Sequence, residues 1–148
     1  MSNLPLKDYK PESSDYLQGT IKNLELLINK ENRNSMYFEK LLDQISDLNI
    51  SGTIKNIVSI SKEHCNTLKA IYMELTSKSY SCSQGDVHID GSIKKALMWA
   101  LLDTFEIVKI YHSLLENLTA PKHRAFVLKM INDEVTAVTE LNALLVEK

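Results

Sequence analysis

A serine and a histidine interrupt an apolar helical stripe near the middle of the chain. The segment from Ile54 to Leu75 repeats apolar side chains at steps of three and four residues, and Ser61 and His64 fall on the same stripe. Residues at i and i+3 share one face of a helix, so both side chains should point the same way. Imidazole is a good metal ligand, and this spacing lets one helix supply two ligands. The pair therefore marks the candidate site.

Polar residues also interrupt two of the other three apolar stripes. Glu31 and Asn34 lie at the centre of the first stripe, which runs from Leu17 to Ile45, and Thr104 lies at the centre of the third. The fourth stripe is predicted as apolar throughout, with the members Leu128, Ile131, Val135, Val138, Leu141 and Leu145. If the stripes are aligned by their centres, one polar layer crosses the middle of the molecule.

These stripes predict an all-α chain of four helices. The helices are expected from about Ser13 to Ile45, from Ile54 to Leu75, from about Ser92 to Leu118, and from Pro121 to the C-terminus. Short links, at 47–52 and 119–121, make the helices of each hairpin antiparallel neighbours. The stretch 77–91 lacks helical periodicity and is long enough to cross the bundle between helices two and three. Residues 1–12 are predicted as an N-terminal arm and 13–148 as one bundle domain.

The composition limits the classes of function. The 148 residues carry 17 basic and 19 acidic side chains, a net charge of -2, with no basic block, so nucleic-acid binding is not expected. No apolar run approaches the roughly 20 residues of a membrane helix, and no secretory signal is visible. We therefore expect a cytoplasmic protein without membrane contact. Cys65 and Cys82 are too few for a zinc site or a disulfide framework.

Four short segments resemble the ferritin-like superfamily, in particular its rubrerythrin-related bacterial members. They are Glu31–Phe38, Ile60–His64, Asp103–Tyr111 and Ile131–Val138. The resemblance covers nearly the whole chain after the N-terminal arm and implies a ferritin-like antiparallel four-helix bundle. It also implies a di-iron centre, for which such bundles use one glutamate from each of two helices and a Glu-x-x-His motif from each of the other two.

Most positions that correspond to those ligands hold other residues. Glu31 and His64 match the pattern, whereas the four remaining positions hold Ser61, Thr104, Val135 and Val138. Acidic residues lie one position away on helices three and four. An offset of one residue turns a helical side chain by roughly 100°, so these acids are expected to point away from the centre. They are Asp103, Glu106, Asp133 and Glu134.

The resemblance therefore implies a degenerate metal site with Glu31 and His64 as its remnants. No di-iron centre, no bound cofactor and negligible ferroxidase activity are expected, with iron as the alternative cofactor. Three interpretations of the pair are open: a buried hydrogen-bonded pair, a mononuclear or weak metal site, or an exposed pair without a role.

Three classes of function are compatible with such a chain. The favoured class is a non-catalytic bundle that acts through self-association, as a homo-oligomer, or through a protein partner. A divergent iron-binding oxidase or peroxidase of the rubrerythrin/ferritin type is the alternative. The third class binds a small apolar ligand in the space that the metal occupies in the proteins that the chain resembles. Metal content separates the second class from the others.

Overall fold

Four long helices make up the computed structural model, which describes residues 14–82 and 85–147. They are α1 (Ser14–Leu42), α2 (Leu48–Thr76), α3 (Ile93–Asn117) and α4 (Pro121–Glu147). The described residues contain no strand, which confirms the predicted all-α class. The predicted N-terminal arm lies outside the described residues. None of the helices within the described ranges is long and apolar enough to cross a membrane.

The helices form two antiparallel hairpins. α1 packs against α2 and α3, and α4 packs against α3 and α2. Tyr72 near the end of α2 donates a hydrogen bond to Glu25 near the start of α1, over 3.1 Å. The described parts of the link between α2 and α3, 77–82 and 85–92, lie along α1, since Tyr80 accepts a hydrogen bond from Asn29 and Lys40 donates one to the Val87 carbonyl. The predicted crossover between helices two and three is therefore confirmed.

Helix α2 begins earlier than its apolar stripe indicated. The predicted link 47–52 is wrong, because the helix starts at Leu48 and the true link is 43–47. Asp47 is the N-cap: its carboxylate accepts hydrogen bonds from the backbone N–H groups of Asn49 and Ile50, at 2.8 and 3.1 Å. This cap satisfies two of the free N–H groups of the first turn, so Ser51 and Gly52 are accommodated inside the helix.

Two apolar clusters fill the bundle, one on each side of a polar layer. The first contains Leu24, Leu68, Ile107 and Val127, and the second contains Phe38, Ile54, Leu97 and Leu141, among other residues. The buried residues between them include Glu31, Asn34, Ser61, His64, Thr104 and Glu134. The predicted polar layer is therefore present, and the apolar clusters above and below it keep water from its side chains.

Candidate metal centre

Three side chains from three helices converge in the polar layer. His64 Nδ1 on α2 lies 2.8 Å from Glu31 Oε2 on α1 and 3.0 Å from Glu134 Oε2 on α4. All three residues are buried: Glu31 is 0% exposed, His64 1% and Glu134 3%. One possible ligand atom from each lies within 4.8 Å of the other two. Two carboxylates and an imidazole thus form a buried group that could hold a cation.

The second nitrogen of the imidazole also faces a carboxylate. His64 Nε2 lies 2.9 Å from Asp133 Oδ2, and Asp133 in turn accepts a hydrogen bond from Lys129 over 3.1 Å. The Asp133 side chain is 24% exposed, so it lies at the edge of the layer. An outer carboxylate on one ring nitrogen fixes the orientation of the ring and leaves the other nitrogen facing inward.

Tyr111 of α3 completes the surroundings of Glu31. Its hydroxyl donates a hydrogen bond of 2.5 Å to Glu31 Oε2, and its ring is fully buried. Among the described residues, the other carboxylate oxygen of Glu31, Oε1, has no hydrogen-bond partner, and neither has Asn34 Oδ1 in the same layer. A buried polar atom without a partner costs free energy, so a positive charge beside Glu31 Oε1 would be favourable.

The charges of this layer set unusual protonation states. Burial lowers the pKa of His64, but hydrogen bonds to Glu134 and Glu31 and the adjacent negative charge outweigh it and raise the pKa to about 10. Burial, followed by repulsion from Glu31, raises the pKa of Glu134 to about 8. Burial and the Glu31 charge also raise the pKa of Tyr111. The layer therefore favours a protonated His64 imidazole and a protonated Tyr111 phenol, and Glu134 holds its proton more tightly than an ordinary carboxyl does.

The predicted register of the fourth helix is wrong at this layer. Val135 is 49% exposed, whereas Glu134 is buried and contacts His64. Asp133, also expected to point away, contacts the same histidine from the other side. The inward face of this part of α4 carries Val127, Met130, Ile131 and Glu134. A stripe chosen for its apolar residues excluded the one carboxylate that the buried imidazole requires.

The other positions of the layer that the resemblance singled out carry hydroxyl groups or no ligand atom. Ser61 and Thr104 are buried in the layer, and the Thr104 hydroxyl donates to Ala100 within its own helix over 2.7 Å. The residue three positions after Glu134 is Ala137, which offers no ligand atom. The set therefore does not fit two iron ions, because the group that Glu31, His64 and Glu134 form has too few ligand atoms for two complete shells.

Replacing Tyr111 by phenylalanine should destabilise the protein by about 1–3 kcal/mol, because the change removes the donor to a fully buried carboxylate. The matched control is Tyr72→Phe, which removes a hydroxyl that donates to Glu25 at a less buried position. We expect the control to cost only about 0.5–1.5 kcal/mol. Urea unfolding of both variants measures the difference. Equal losses for the two would show that the Tyr111 hydroxyl does not stabilise Glu31.

Two solved structures resemble this arrangement of helices. A ferritin-like, diiron-carboxylate protein from Bacillus anthracis aligns with a TM-score of 0.76 and 19% identity, over 90% of this chain and 99% of that one. A two-domain protein from Anabaena variabilis, which contains DJ-1/ThiJ/PfpI-like and ferritin-like domains, aligns with a TM-score of 0.69 and 18% identity over 85% of this chain. This chain spans 35% of the Anabaena protein.

The fold is therefore ferritin-like, and the resemblance seen in the sequence is confirmed at the level of the fold. No protein-family model and no curated protein matches the chain. At 18% and 19% identity the two structures establish the arrangement of the helices only. The chemistry must be argued from this chain's own side chains.

Proposed function

We propose that this chain is a non-catalytic, ferritin-like bundle that binds one divalent transition-metal ion through Glu31, His64 and Glu134. The observation that carries the proposal is the convergence of one ligand atom from each of these buried residues within 4.8 Å. Three helices contribute one residue each, so an ion held here ties α1, α2 and α4 together. The ion's contribution is its positive charge, which offsets the buried carboxylates and stabilises the bundle.

The unpartnered oxygens support a cation in preference to a hydrogen-bonded network alone. Glu31 Oε1 is buried with no donor from the described parts of the chain, and a metal ion would satisfy it. Imidazole with carboxylates suits iron(II), manganese(II) or zinc(II). Binding must displace the proton that His64 Nδ1 carries toward the carboxylates, so affinity should increase with pH. An iron-dependent oxidase of the two-iron type is the alternative, and the ligand set supports it less well.

Metal analysis of protein purified from iron-supplemented cells, and of apoprotein dialysed against each candidate ion, tests this proposal. We expect close to one ion per chain in the wild type and at least a tenfold loss of affinity in Glu134→Ala. Val135→Ala is the matched control, since it truncates the exposed neighbour on the same helix. Two irons per chain together with ferroxidase activity would support the oxidase. No bound ion under any condition would refute both.

Self-association is a second candidate function, and an exposed apolar stripe on α3 favours it. Met98, Leu102 and Phe105 recur at helical spacing and are 48%, 60% and 48% exposed. Apolar residues aligned on one outer helix face are typical of a surface that another protein covers. A second copy of this chain could cover the stripe by the same residues on both sides.

Sedimentation equilibrium over a range of protein concentrations tests this second candidate. The wild type should reach a dimer or larger oligomer, and Leu102→Ser with Phe105→Ser should shift it to the monomer. The control changes Leu48→Ser, which is 86% exposed and lies on α2, away from the stripe. A wild type that stays monomeric throughout would exclude self-association through α3.

A further inference from the structure

A cavity of about 540 Å³ opens at the side of the bundle, apart from the candidate metal centre. It lies between the second half of α1, the last residues of the crossover and the first turns of α3, and none of the three candidate ligands lines it. Lys40 donates to the Val87 carbonyl over 2.8 Å and Tyr37 donates to the Ala96 carbonyl over 3.4 Å, which holds its walls together. The volume is typical of sites for small molecules.

The floor of this cavity is apolar and aromatic. Tyr37, Val87 and Ala96 are buried, whereas Trp99 remains 44% exposed beside them. The Trp99 and Tyr37 rings are tilted by 40°, with centroids 4.6 Å apart. Part of the Trp99 ring therefore remains uncovered. An exposed indole on a buried apolar floor is a surface on which a planar ring can stack.

The lining carries two cationic and two acidic side chains, and they come from different elements of the fold. Arg33 and Lys95 come from α1 and α3, whereas Asp86 and Asp90 come from the crossover. None of the four forms an ion pair with any side chain in the described parts of the chain. A ligand with one sign of charge would be attracted by one wall and repelled by the other, whereas a dipolar ligand complements both.

The backbone holds one of these charges in place. Gly91 has a φ of +78°, and a Cβ atom built on it would lie 3.0 Å from Lys95 Cδ. The lysine stem therefore lies against the glycine, and the N-cap Ser92 begins α3 directly afterwards, accepting a hydrogen bond from the Lys95 backbone N–H over 3.1 Å. A side chain at position 91 would strain the backbone and displace Lys95.

We propose that this cavity binds a small aromatic zwitterion, with its ring on Trp99 and Tyr37, its carboxylate toward Arg33 and Lys95, and its ammonium toward Asp86 and Asp90. This class of ligand uses the aromatic floor, the helix cations and the crossover acids, and leaves His88 as the one further polar side chain of the lining. The site is independent of the proposed metal centre, so either could fail without the other.

Trp99 is the only tryptophan of the chain, so its fluorescence reports directly on this cavity. The probe is L-phenylalanine, titrated into the full chain with excitation at the red edge of tryptophan absorption, where phenylalanine does not absorb. We expect a saturable change in Trp99 emission. 3-Phenylpropanoic acid lacks the ammonium and phenethylamine lacks the carboxylate, and each should bind about tenfold more weakly, because a desolvated charge contact is lost.

Two variants test the two walls separately. Arg33→Gln and Asp86→Asn should each weaken phenylalanine binding about tenfold, and the losses should disappear for phenethylamine and 3-phenylpropanoic acid respectively. Lys94→Gln, at an exposed α3 position outside the cavity lining, is the matched control and should bind as the wild type does. Calorimetry repeats the measurement without the optical probe, and far-UV circular dichroism confirms that each variant is folded.

The outcomes that overturn the proposal are distinct. No saturable change with phenylalanine, by fluorescence and by calorimetry, means that the cavity does not bind this class. Equal affinity for phenylalanine and either singly charged probe means that one of the two charged walls takes no part. A loss in Lys94→Gln as large as that in Arg33→Gln means that general charge, and not the cavity, controls binding.

Discussion

Replacing His64 by glutamine should lower the free energy of unfolding of the metal-free protein by about 3–5 kcal/mol, the cost of removing one partner from a buried charged group. His64 is 1% exposed and lies within 3.0 Å of Glu31, Glu134 and Asp133 oxygens. Without the imidazolium, the Glu31 carboxylate keeps the Tyr111 hydroxyl as a donor but loses the positive charge beside it. The change therefore leaves negative charge in the core without its positive partner.

A double-mutant cycle measures the coupling. Urea unfolding, with chelator present, compares Glu31→Gln, His64→Gln and the double variant. If the two residues are coupled, the sum of the two single-variant losses of stability should be larger than the loss in the double variant. The control, Glu39→Gln, removes the negative charge from an exposed ion pair. Glu39 lies 2.9 Å from Lys62, and the two side chains are 48% and 55% exposed. That loss should be about 0–1 kcal/mol. Mild and additive effects at Glu31 and His64 would contradict the proposed coupling.

The metal-free protein should be markedly less stable at about pH 9 than at about pH 6, by several kcal/mol. His64 and Glu134 both bind their protons more tightly when folded, with pKa values of about 10 and about 8 against ordinary values of 6.5 and 4.5. A group whose pKa is raised by folding stabilises the folded protein fully at a pH below its pKa in the unfolded chain. That stabilisation is lost as the pH increases through the pKa of the group in the folded protein. The two losses overlap between pH 6.5 and 8.

Asp133 acts in the opposite direction at low pH. Burial alone would raise its pKa, but the hydrogen bond to His64 and the one from Lys129 lower it below the ordinary value of 3.8. Its contribution is therefore lost only as pH decreases below that value. Urea unfolding across this range should show greatest stability in mildly acidic solution. Glu134→Gln should remove the part of the alkaline loss that belongs to this carboxyl, and a wild-type stability that is flat or rises from pH 6 to 9 would refute the assigned protonation states.

Local sequence patterns determined the number of helices, their order and the crossover. Apolar side chains at steps of three and four residues require one buried face per helix, and the unequal links leave few ways to arrange four such faces. The same periodicity placed Glu31, Ser61, His64 and Thr104 in one layer, and all four are buried there. These features depend on residues close together in the chain, so the sequence alone was sufficient to predict them.

Two features of α2 and α3 were beyond the reach of periodicity. The first turn of α2 depends on the Asp47 cap, a hydrogen-bonding effect that a search for apolar residues does not detect. The aromatic residue Tyr111 lies on the inward face of α3 and is fully buried. Its hydroxyl, however, also reaches Glu31, eighty residues earlier in the chain. Only the packing of α3 against α1 brings the two together.

The tertiary structure decided the register of α4 and with it the third candidate ligand. Two adjacent faces of α4 carry apolar residues, one with Leu128 and Val135 and one with Val127 and Met130, so hydrophobicity alone could not choose between them. The face with Glu134 turns inward and the other leaves Leu128 and Val135 half-exposed. The physical reason is the buried imidazole on α2: a charged or polar group in the core requires partners, and only this rotation of α4 places carboxylates on both of its ring nitrogens.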